Sequence, residues 1–386
     1  MSIKTAISAD RIFDGEHFHQ NCAILIEDGV VVDICSKASV PIYYELEQCS
    51  NGVLAPGFVD WQVNGGGGVL FNNDTSVEAL RTIVKGHHTG GTTSLLPTIV
   101  SDTLETRQQA VDTVRTYLAN GEKGVAGLHL EGPYFPSERR GTHDETHLGS
   151  PSDSEINWLG SLTDIKLLVT TAPEMLMKGQ VRNLVDQGVI VCAGHTDANS
   201  EQILSALDEG LRGFTHLYNA MKPATGREPG VVGSALIDEQ SWCGIIVDGH
   251  HVHADMVKLA HRTKAVGKLC LVTDSMATVG SSDRSFELYG NKITEQNGCL
   301  INSEGRLAGS AISMIQAVRN SHLDVGIELA ECLRMASLYP AEFLGLEHIS
   351  GRLKRNYSAD MVHFDDRFNV MQTWVAGEAM LQTVKC

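Results

Sequence analysis

The stretch that decides the fold is residues 188–219, GVIVCAGHTDANSEQILSALDEGLRGFTHLYN. It begins with a short apolar run at 189–195, continues with an amphipathic segment at 200–209, and ends with a second apolar run at 213–219. Short apolar runs predict buried strands, and the amphipathic segment predicts a helix. Because a helical crossover joins parallel strands, the stretch predicts one repeat of an α/β fold.

Working outward, similar apolar, β-branched runs recur along the chain. They are residues 53–63, 92–100, 125–131, 165–172, 189–195, 213–219, 243–248 and 268–274. Amphipathic segments accompany them at 77–89, 103–118, 200–209, 254–263, 313–320 and 329–337. Eight strands alternating with helices predict a closed (β/α)8 barrel, a fold that usually needs about 250 residues.

The two ends of the chain differ from this pattern. Residues 3–55 and 351–384 show short strands around turn signals and no long helical periodicity. We expect both ends to join in one small β-sandwich domain, residues 1–55 plus 346–386, beside a catalytic barrel of residues 56–345. Residues 286–305 also predict hairpins, either on the barrel rim or in the β domain.

Composition excludes several classes of function. A formal net charge of −17 argues against a nucleic-acid partner, and no apolar run reaches the roughly 18 residues of a membrane span. The N-terminal sequence lacks the apolar core of a signal peptide, and nine scattered cysteines without a CxxC motif indicate reduced thiols. We expect a cytoplasmic protein. Its acidity repels anions, so a phosphate would need a few concentrated local donors.

In a (β/α)8 barrel, reactive side chains lie at the carboxyl ends of the strands, which share one face. Four predicted strands end in a polar group: Glu131, His195, His216 and Asp274. A single strand-terminal histidine is more often a capping residue, but four polar groups on one face favour a common site. Two imidazoles and a carboxylate suit a catalytic metal with an open position, and an aspartate beside it can move protons. The pattern predicts a metal-dependent hydrolase.

The first predicted strand limits the number of metal ions. It ends with Gln62 and Asn64, whose neutral amide oxygens are weak ligands, and no lysine ends the fourth strand. We therefore expect one divalent ion per chain, with a second, weaker ion near Gln62 and Asn64 as the alternative. Zinc is our first choice, and the same ligands also suit iron, cobalt or manganese.

Further polar groups flank the predicted barrel mouth. The loop after the seventh strand contains a cluster that favours ligand contact: Asp248, Gly249, His250, His251 and His253. His143 lies on the loop after the third strand. Arg227 lies in a loop rich in glycine and proline, where it is either exposed and idle or an anion clamp. His129 faces the same way as Glu131, either as a partner of the site or as barrel packing.

Eight ordered motifs then carry a resemblance. They are LHLEGP (128–133), GTH (141–143), AGHT (193–196), THLYNAM (215–221), GREPG (226–230), DGHHV (248–252), LVTD (271–274) and LAGS (307–310). Together they resemble the N-acetylglucosamine-6-phosphate deacetylases of the amidohydrolase superfamily, over essentially the whole chain. The resemblance implies a homodimer that hydrolyses N-acetylglucosamine 6-phosphate to glucosamine 6-phosphate and acetate in amino-sugar catabolism.

The resemblance also implies roles for individual residues. One divalent metal would bind to Glu131, His195 and His216. Asp274 would be the acid and base, and His143 would polarise the acetyl carbonyl. The implied substrate contacts are Thr142, Asn219, Ala220, His251, Leu307, Ala308, Gly309 and, reaching across from the partner subunit, Arg227.

Two departures from the family pattern leave the substrate open. Residues 275–280 (SMATVG) and His250 differ from what is usual in the family. The alternatives are a deacetylase of a galactosamine-type or mannosamine-type phosphate, and a non-catalytic sugar-phosphate-binding relative. Asp274 argues against the last alternative, because binding alone requires no acid or base.

Overall fold

The computed structural model describes residues 4–381, in which eight parallel strands form the barrel. In order around the ring these strands are Phe58–Val63, Thr92–Val100, Leu128–Glu131, Leu167–Thr171, Ile190–Ala193, Gly213–Phe214, Trp242–Ile245 and Leu269–Leu271. A parallel bridge between Val63 and Ser275 closes the ring, where the Asp274 N–H donates to the Gln62 carbonyl at 3.0 Å. The predicted (β/α)8 fold is confirmed.

The first predicted strand, residues 53–63, is divided between two sheets. Val53–Pro56 pairs with strands from the chain ends, and only Phe58–Val63 enters the barrel. Gly57 marks the crossing: a Cβ there would lie 2.2 Å from Thr93 Oγ1. Both segments are fully buried, so hydrophobicity gave no sign of the division.

Helices pack around the barrel. They are Val77–His88, Leu104–Ala119, Asp153–Ser161, Gln180–Asp186, Ser200–Asp208, Gly230–Ile237, Ala254–Thr263, Met314–Asn320, Leu329–Ala336 and Leu338–Leu344. Single 3-10 turns occur at Lys37–Ser39, Ser137–Arg139, Glu145–His147 and Pro173–Met175, and a π-helical turn occurs at Ser321–Val325. The six amphipathic segments predicted as helices all form helices.

Sequence periodicity missed the other helices for a physical reason. Gly230–Ile237, for example, is short and almost uniformly apolar, and most of its residues are buried. Such a segment has no polar face to reveal helical periodicity.

Strands from both chain ends form a second sheet. They are Lys4–Phe13, Phe18–Glu27, Val30–Ser36, Glu45–Cys49, Val53–Pro56, Met361–Phe364, Val370–Val375 and Glu378–Ala379. One core of this sheet includes Ile7, Leu54 and Trp374, whereas Phe13 and Phe364 pack in the barrel core. We propose the domain division 1–55 plus 346–386 and 56–345; residues 1–3 and 382–386 lie outside the described part.

The predicted hairpins at 286–305 form an antiparallel sheet on the barrel rim. Its strands are Ser285–Leu288, Asn291–Gln296, Cys299–Ile301 and Leu307–Ser310. A small two-stranded hairpin, Gly65–Gly66 with Val69–Leu70, lies at the same end of the barrel. Leu288 and Ile293 share an apolar cluster with Val100 and Met276, so the rim placement is correct and the alternative in the β domain is not.

Two further sequence expectations concern membranes and thiols. Within residues 4–381, no helix combines the length and apolar character that a membrane crossing requires. The eight cysteines in that range are free, and Cys386 lies outside it.

Gly52 offers a test of the junction between the two chain ends. Its φ is +89°, and a Cβ there would lie 1.9 Å from the Phe364 carbonyl oxygen. We expect Gly52→Ala to lose about 1–2 kcal/mol from its left-handed φ and about 1–3 kcal/mol more from overpacking. Gly290→Ala is the matched control, because Gly290 has φ +71° and no atom within 4 Å of its Cβ. In thermal unfolding, Gly52→Ala should have a lower Tm than Gly290→Ala. Equal Tm values for the two variants would contradict the close packing of Gly52 against Phe364.

Candidate functional site

Three buried side chains converge on one point at the barrel mouth. Glu131 ends the third strand, and His195 and His216 follow the fifth and sixth strands. Glu131 Oε1 lies 2.9 Å from His216 Nε2 and 3.4 Å from His195 Nε2, and the two Nε2 atoms are 3.0 Å apart. A tetrahedral ion with bonds of about 2.0–2.1 Å keeps its ligand atoms about 3.3 Å apart. The triangle therefore fits a divalent cation.

The protonation of these groups also suits a cation. His195 Nδ1 donates to the Arg139 carbonyl oxygen at 2.8 Å, which leaves a lone pair on Nε2. Phe135 stacks on the His195 ring with centroids 4.5 Å apart and fixes its plane. Burial alone would raise the pKa of Glu131, but the adjacent imidazoles of His195 and His216 hold that pKa well below its usual range. The carboxylate is therefore ionised.

The backbone turns sharply after several barrel strands. His195, His216 and Asp274 have φ values of 50°, 36° and 51°, in the left-handed region that residues other than glycine rarely adopt. This turn explains why the sixth strand, Gly213–Phe214, is shorter than the predicted run 213–219. Such strain clusters at functional sites, and here it accompanies the side chains that meet at the barrel mouth.

Asp274 lies beside the triad of Glu131, His195 and His216, and only one of its two carboxylate oxygens accepts hydrogen bonds. Gln62 Nε2 donates to Asp274 Oδ1 at 3.1 Å, and Asn64 Nδ2 donates to the same oxygen at 2.7 Å. Within residues 4–381, Oδ2 has no hydrogen-bond partner, so it is the oxygen able to exchange a proton. Burial and the nearby charge of Glu131 raise the pKa of Asp274 to about 7.

Gln62 and Asn64 thus have a role that sequence reasoning missed. Gln62 Nε2 also donates to Glu131 Oε1 at 3.1 Å, so one amide joins both carboxylates. From the sequence, these two residues are interpreted only in terms of metal binding, as weak ligands with a second, weaker ion nearby as the alternative. Their alternate positions on one strand, which point them to the same face, were the available signal.

His143 is a neutral hydrogen-bond donor in this arrangement. The Ser101 N–H and hydroxyl approach its Nδ1 at 3.2 and 2.7 Å, which places the ring proton on Nε2. Burial lowers the pKa of His143 well below its usual range, and the neighbouring His195 adds to this. The ring lies edge-on to His195, with centroids 4.4 Å apart.

A cavity of about 350 Å³ opens above these groups. The predicted ligand contacts that line it are Thr142, Asn219, Ala220, His251, Leu307 and Gly309. The structure places Ala308 in the core, with no exposed surface, and Arg227 on the exterior. Gly249 does not line the cavity, and Asp248 and His250 line a neighbouring one.

Asp248 acts on the cavity through His251. Its Oδ2 lies 2.6 Å from His251 Nδ1, and its Oδ1 accepts the N–H groups of His250 and His251 at 2.9 and 2.8 Å. The His251 ring is therefore held with Nε2 available to a ligand. His250 takes part through its backbone.

Sequence reasoning assigned no role to five other side chains that line the cavity: Val100, Glu138, Arg139, Met276 and Arg306. Arg306 directly precedes the LAGS motif, and Arg139 lies two residues before the GTH motif. The contribution of Arg306 depends on how the rim sheet folds back, which local sequence does not indicate.

Known proteins resemble this chain over nearly its whole length. The sequence pattern of the amidohydrolase family matches residues 53–380. The chain is 38% identical to an N-acetylgalactosamine-6-phosphate deacetylase of Shewanella sp. (strain ANA-3), covering 94% of this chain and 92% of that protein. It is 33% identical to an N-acetylglucosamine-6-phosphate deacetylase of Haemophilus influenzae, covering 92% and 94%. The crystal structure of N-acetylglucosamine-6-phosphate deacetylase from Pasteurella multocida matches with a TM-score of 0.94 and 35% identity, covering 97% and 99%.

The triad generates a prediction about metal content. Protein loaded with excess zinc and then desalted should retain about one ion per chain, because three ligand groups serve one tetrahedral site. His216→Ala should lose the ion, whereas Gln62→Ala, which removes a neighbour but no ligand, should keep it. Elemental analysis provides the measurement, and two tightly held ions per chain would contradict this prediction.

Proposed function

This chain belongs to the amidohydrolase family, and from that premise we propose that it hydrolyses N-acetylglucosamine 6-phosphate to glucosamine 6-phosphate and acetate. The observation that carries the proposal is the position of Asp274, with one free carboxylate oxygen, beside the convergent Glu131, His195 and His216. The similar deacetylases support the substrate class. The reaction would belong to amino-sugar catabolism, and we place it in the cytoplasm.

Glu131, His195 and His216 would hold the metal ion. A divalent ion there would lower the pKa of water from roughly 15.7 to about 7 and polarise the acetyl carbonyl. Zinc is our first choice, because tetrahedral sites of imidazole and carboxylate ligands suit it; iron, cobalt and manganese are the alternatives.

Asp274 would move the protons of the reaction. Its Oδ1 is fixed by Gln62 and Asn64, so Oδ2 would accept a proton as water attacks the acetyl carbonyl. The same oxygen would then return the proton to the leaving glucosamine nitrogen. A raised pKa, near 7, favours both steps because the group is then neither too weak a base nor too weak an acid.

Donors from the loops would bind the rest of the substrate. His143 Nε2–H would donate to the acetyl oxygen as negative charge develops there. The Ala220 N–H and His251 Nε2 have no hydrogen-bond partner within residues 4–381, and both residues line the cavity. We assign these two groups, with Asn219, to the phosphate.

A galactosamine-type substrate is the second candidate. The Shewanella relative, an N-acetylgalactosamine-6-phosphate deacetylase, is more similar to this chain than the Haemophilus relative is. The two sugars differ only in configuration at C4, far from the reacting amide. The mechanism derived from Asp274 and His143 is therefore the same for both.

We also propose a homodimer in which Arg227 of the partner subunit reaches the cavity. The Glu228 carboxylate fixes the Arg227 loop by accepting the N–H groups of Ser200 and Gly230, each at 2.9 Å. Neighbouring helices expose apolar side chains, including Leu204 at 55% and Ile237 at 71%. Exposed apolar surface of this kind suits a protein interface.

The function is tested by acetate release from metal-loaded protein. We expect N-acetylglucosamine 6-phosphate to be hydrolysed, and Asp274→Asn to lose about 10²–10⁴-fold in turnover while retaining its metal. Asp255→Asn, at a highly exposed carboxylate, is the matched control and should keep full turnover. Faster hydrolysis of the galactosamine epimer would favour the second candidate. Release from no acetamido-sugar phosphate would indicate a non-catalytic binding protein.

The dimer is tested by subunit complementation. Arg227→Ala and Asp274→Ala chains, each expected to be inactive alone, are unfolded together and refolded as mixed dimers. In a hybrid, one site combines an intact Asp274 with an intact Arg227 of the partner subunit, because a two-fold interface exchanges the same patch both ways. Activity should return on mixing; hybrids that form but stay inactive would show that Arg227 does not act across the interface.

A further inference from the structure

The cavity contains cationic side chains from its own chain. Within residues 4–381, two arginines line it, Arg139 and Arg306. The phosphate contacts assigned above are the Ala220 N–H, His251, Asn219 and one arginine of the partner subunit. A protein of formal charge −17 gains from any local cation at a site for an anion, so the bonding of these two arginines matters.

Two of the three donor nitrogens of Arg139 are engaged by a carboxylate outside the cavity lining. Its Nε and Nη2 both contact Asp197 Oδ1, at 2.8 and 2.5 Å. Its carbonyl oxygen accepts from His195, as described above. Arg139 therefore supports the metal ligand, although Lys222, 3.7 Å from the same carboxylate, leaves this group with a surplus positive charge.

Arg306 is bonded less completely. Its Nη1 donates to the Gly141 carbonyl at 3.2 Å, and its Nε lies 3.2 Å from Glu304 Oε2. The Nη2 group has no partner in the described part of the chain. Glu304 also pairs with Arg140, which donates to both carboxylate oxygens at 3.2 and 3.0 Å. One carboxylate thus serves two guanidinium groups, which leaves a surplus positive charge in this cluster, although Glu138 also lines the cavity.

The position of Arg306 matches one end of the substrate. Arg306 directly precedes Leu307, and Gly141, which accepts its hydrogen bond, directly precedes Thr142. All four residues line the cavity. The metal triad fixes where the acetamido group on C2 must lie. In a hexose ring C5 is opposite C2, so a phosphate on C6 points away from the triad. The side chain of Arg306 is 48% exposed, so it lies at the solvent edge of the cavity, and a phosphate directed away from the triad would approach that edge.

We propose that Arg306 is a phosphate ligand supplied by the same chain, with Nη2 donating to a phosphate oxygen of the 6-phosphorylated amino sugar. This inference rests on the proposed function for the identity of the sugar. It gives each subunit a phosphate cation of its own, in addition to Arg227 of the partner subunit. A guanidinium is suited to this contact because its planar donors match phosphate oxygens.

The main competing role is mechanical, because Arg306 also holds the Gly141 carbonyl beside the catalytic loop. The two roles predict different substrate dependence. A phosphate ligand matters only for phosphorylated sugars, whereas support of the loop that contains His143 matters equally for N-acetylglucosamine and its 6-phosphate.

The experiment compares Arg306→Met, Arg306→Lys and the control Arg284→Met in the metal-loaded protein. Arg284 belongs to the same rim region and pairs with Glu295, but it does not line the cavity. Calorimetry measures the dissociation constant for D-glucosamine 6-phosphate, which requires no turnover. Acetate release gives kcat/KM for N-acetylglucosamine with and without the phosphate.

We expect Arg306→Met to weaken binding of D-glucosamine 6-phosphate about 10-fold, the scale of one partly exposed charge-assisted hydrogen bond. Arg306→Lys should recover part of the loss, and Arg284→Met should bind as the wild type does. The kcat/KM for unphosphorylated N-acetylglucosamine should fall much less than the kcat/KM for its 6-phosphate.

Three results would overturn the inference: equal losses for both substrates, undiminished binding by Arg306→Met, or no binding of D-glucosamine 6-phosphate by the wild type. A wild type that binds this sugar but releases no acetate would instead overturn the proposed function, and the binding data would still decide the role of Arg306.

Discussion

An ionised carboxylate buried inside a barrel is costly unless donors or cations surround it, and the site is organised around this requirement at Glu131. His195, His216 and Gln62 each direct a nitrogen at this carboxylate. His129, whose pKa burial lowers to about 4, bonds to Thr98 and Thr170 at 3.3 and 2.7 Å. Of its two possible roles, His129 therefore belongs to the packing of the barrel interior.

Much of this arrangement could be predicted from strand ends. Because parallel strands in a barrel present their carboxyl ends at one face, Glu131, His195, His216 and Asp274 could be grouped without any contact information. Asn64 and Gln62 were harder to interpret, because an amide in place of a metal ligand indicates only that a metal ligand is missing and suggests no other role. Their actual function, orienting a carboxylate, depends on the closure of the first strand against the eighth.

Other features were invisible to local patterns. The crossing at Gly57 joins two fully buried strands, so hydrophobicity is continuous across it. Arg306 became relevant only through the rim sheet, whose placement sequence analysis had left open. Both cases share one cause: the decisive contacts, with Thr93 and with Gly141, are made between segments distant in sequence.

The attachment of the rim sheet to the barrel has a consequence for how this scaffold can diversify. The Ser310 N–H donates to the Asp274 carbonyl, and the Met276 N–H donates back to the Ser310 carbonyl, both at 2.9 Å. One wall of the cavity and Asp274 are thus joined through backbone atoms, which substitutions leave in place. At the far turn of the sheet the Cβ position of Gly290 is open, but the Tyr289 hydroxyl beside it donates to the Ser101 carbonyl at 2.5 Å. New loops grafted there can remodel the entrance if they keep this bond to Ser101, while the backbone pairing keeps the sheet in register with Asp274.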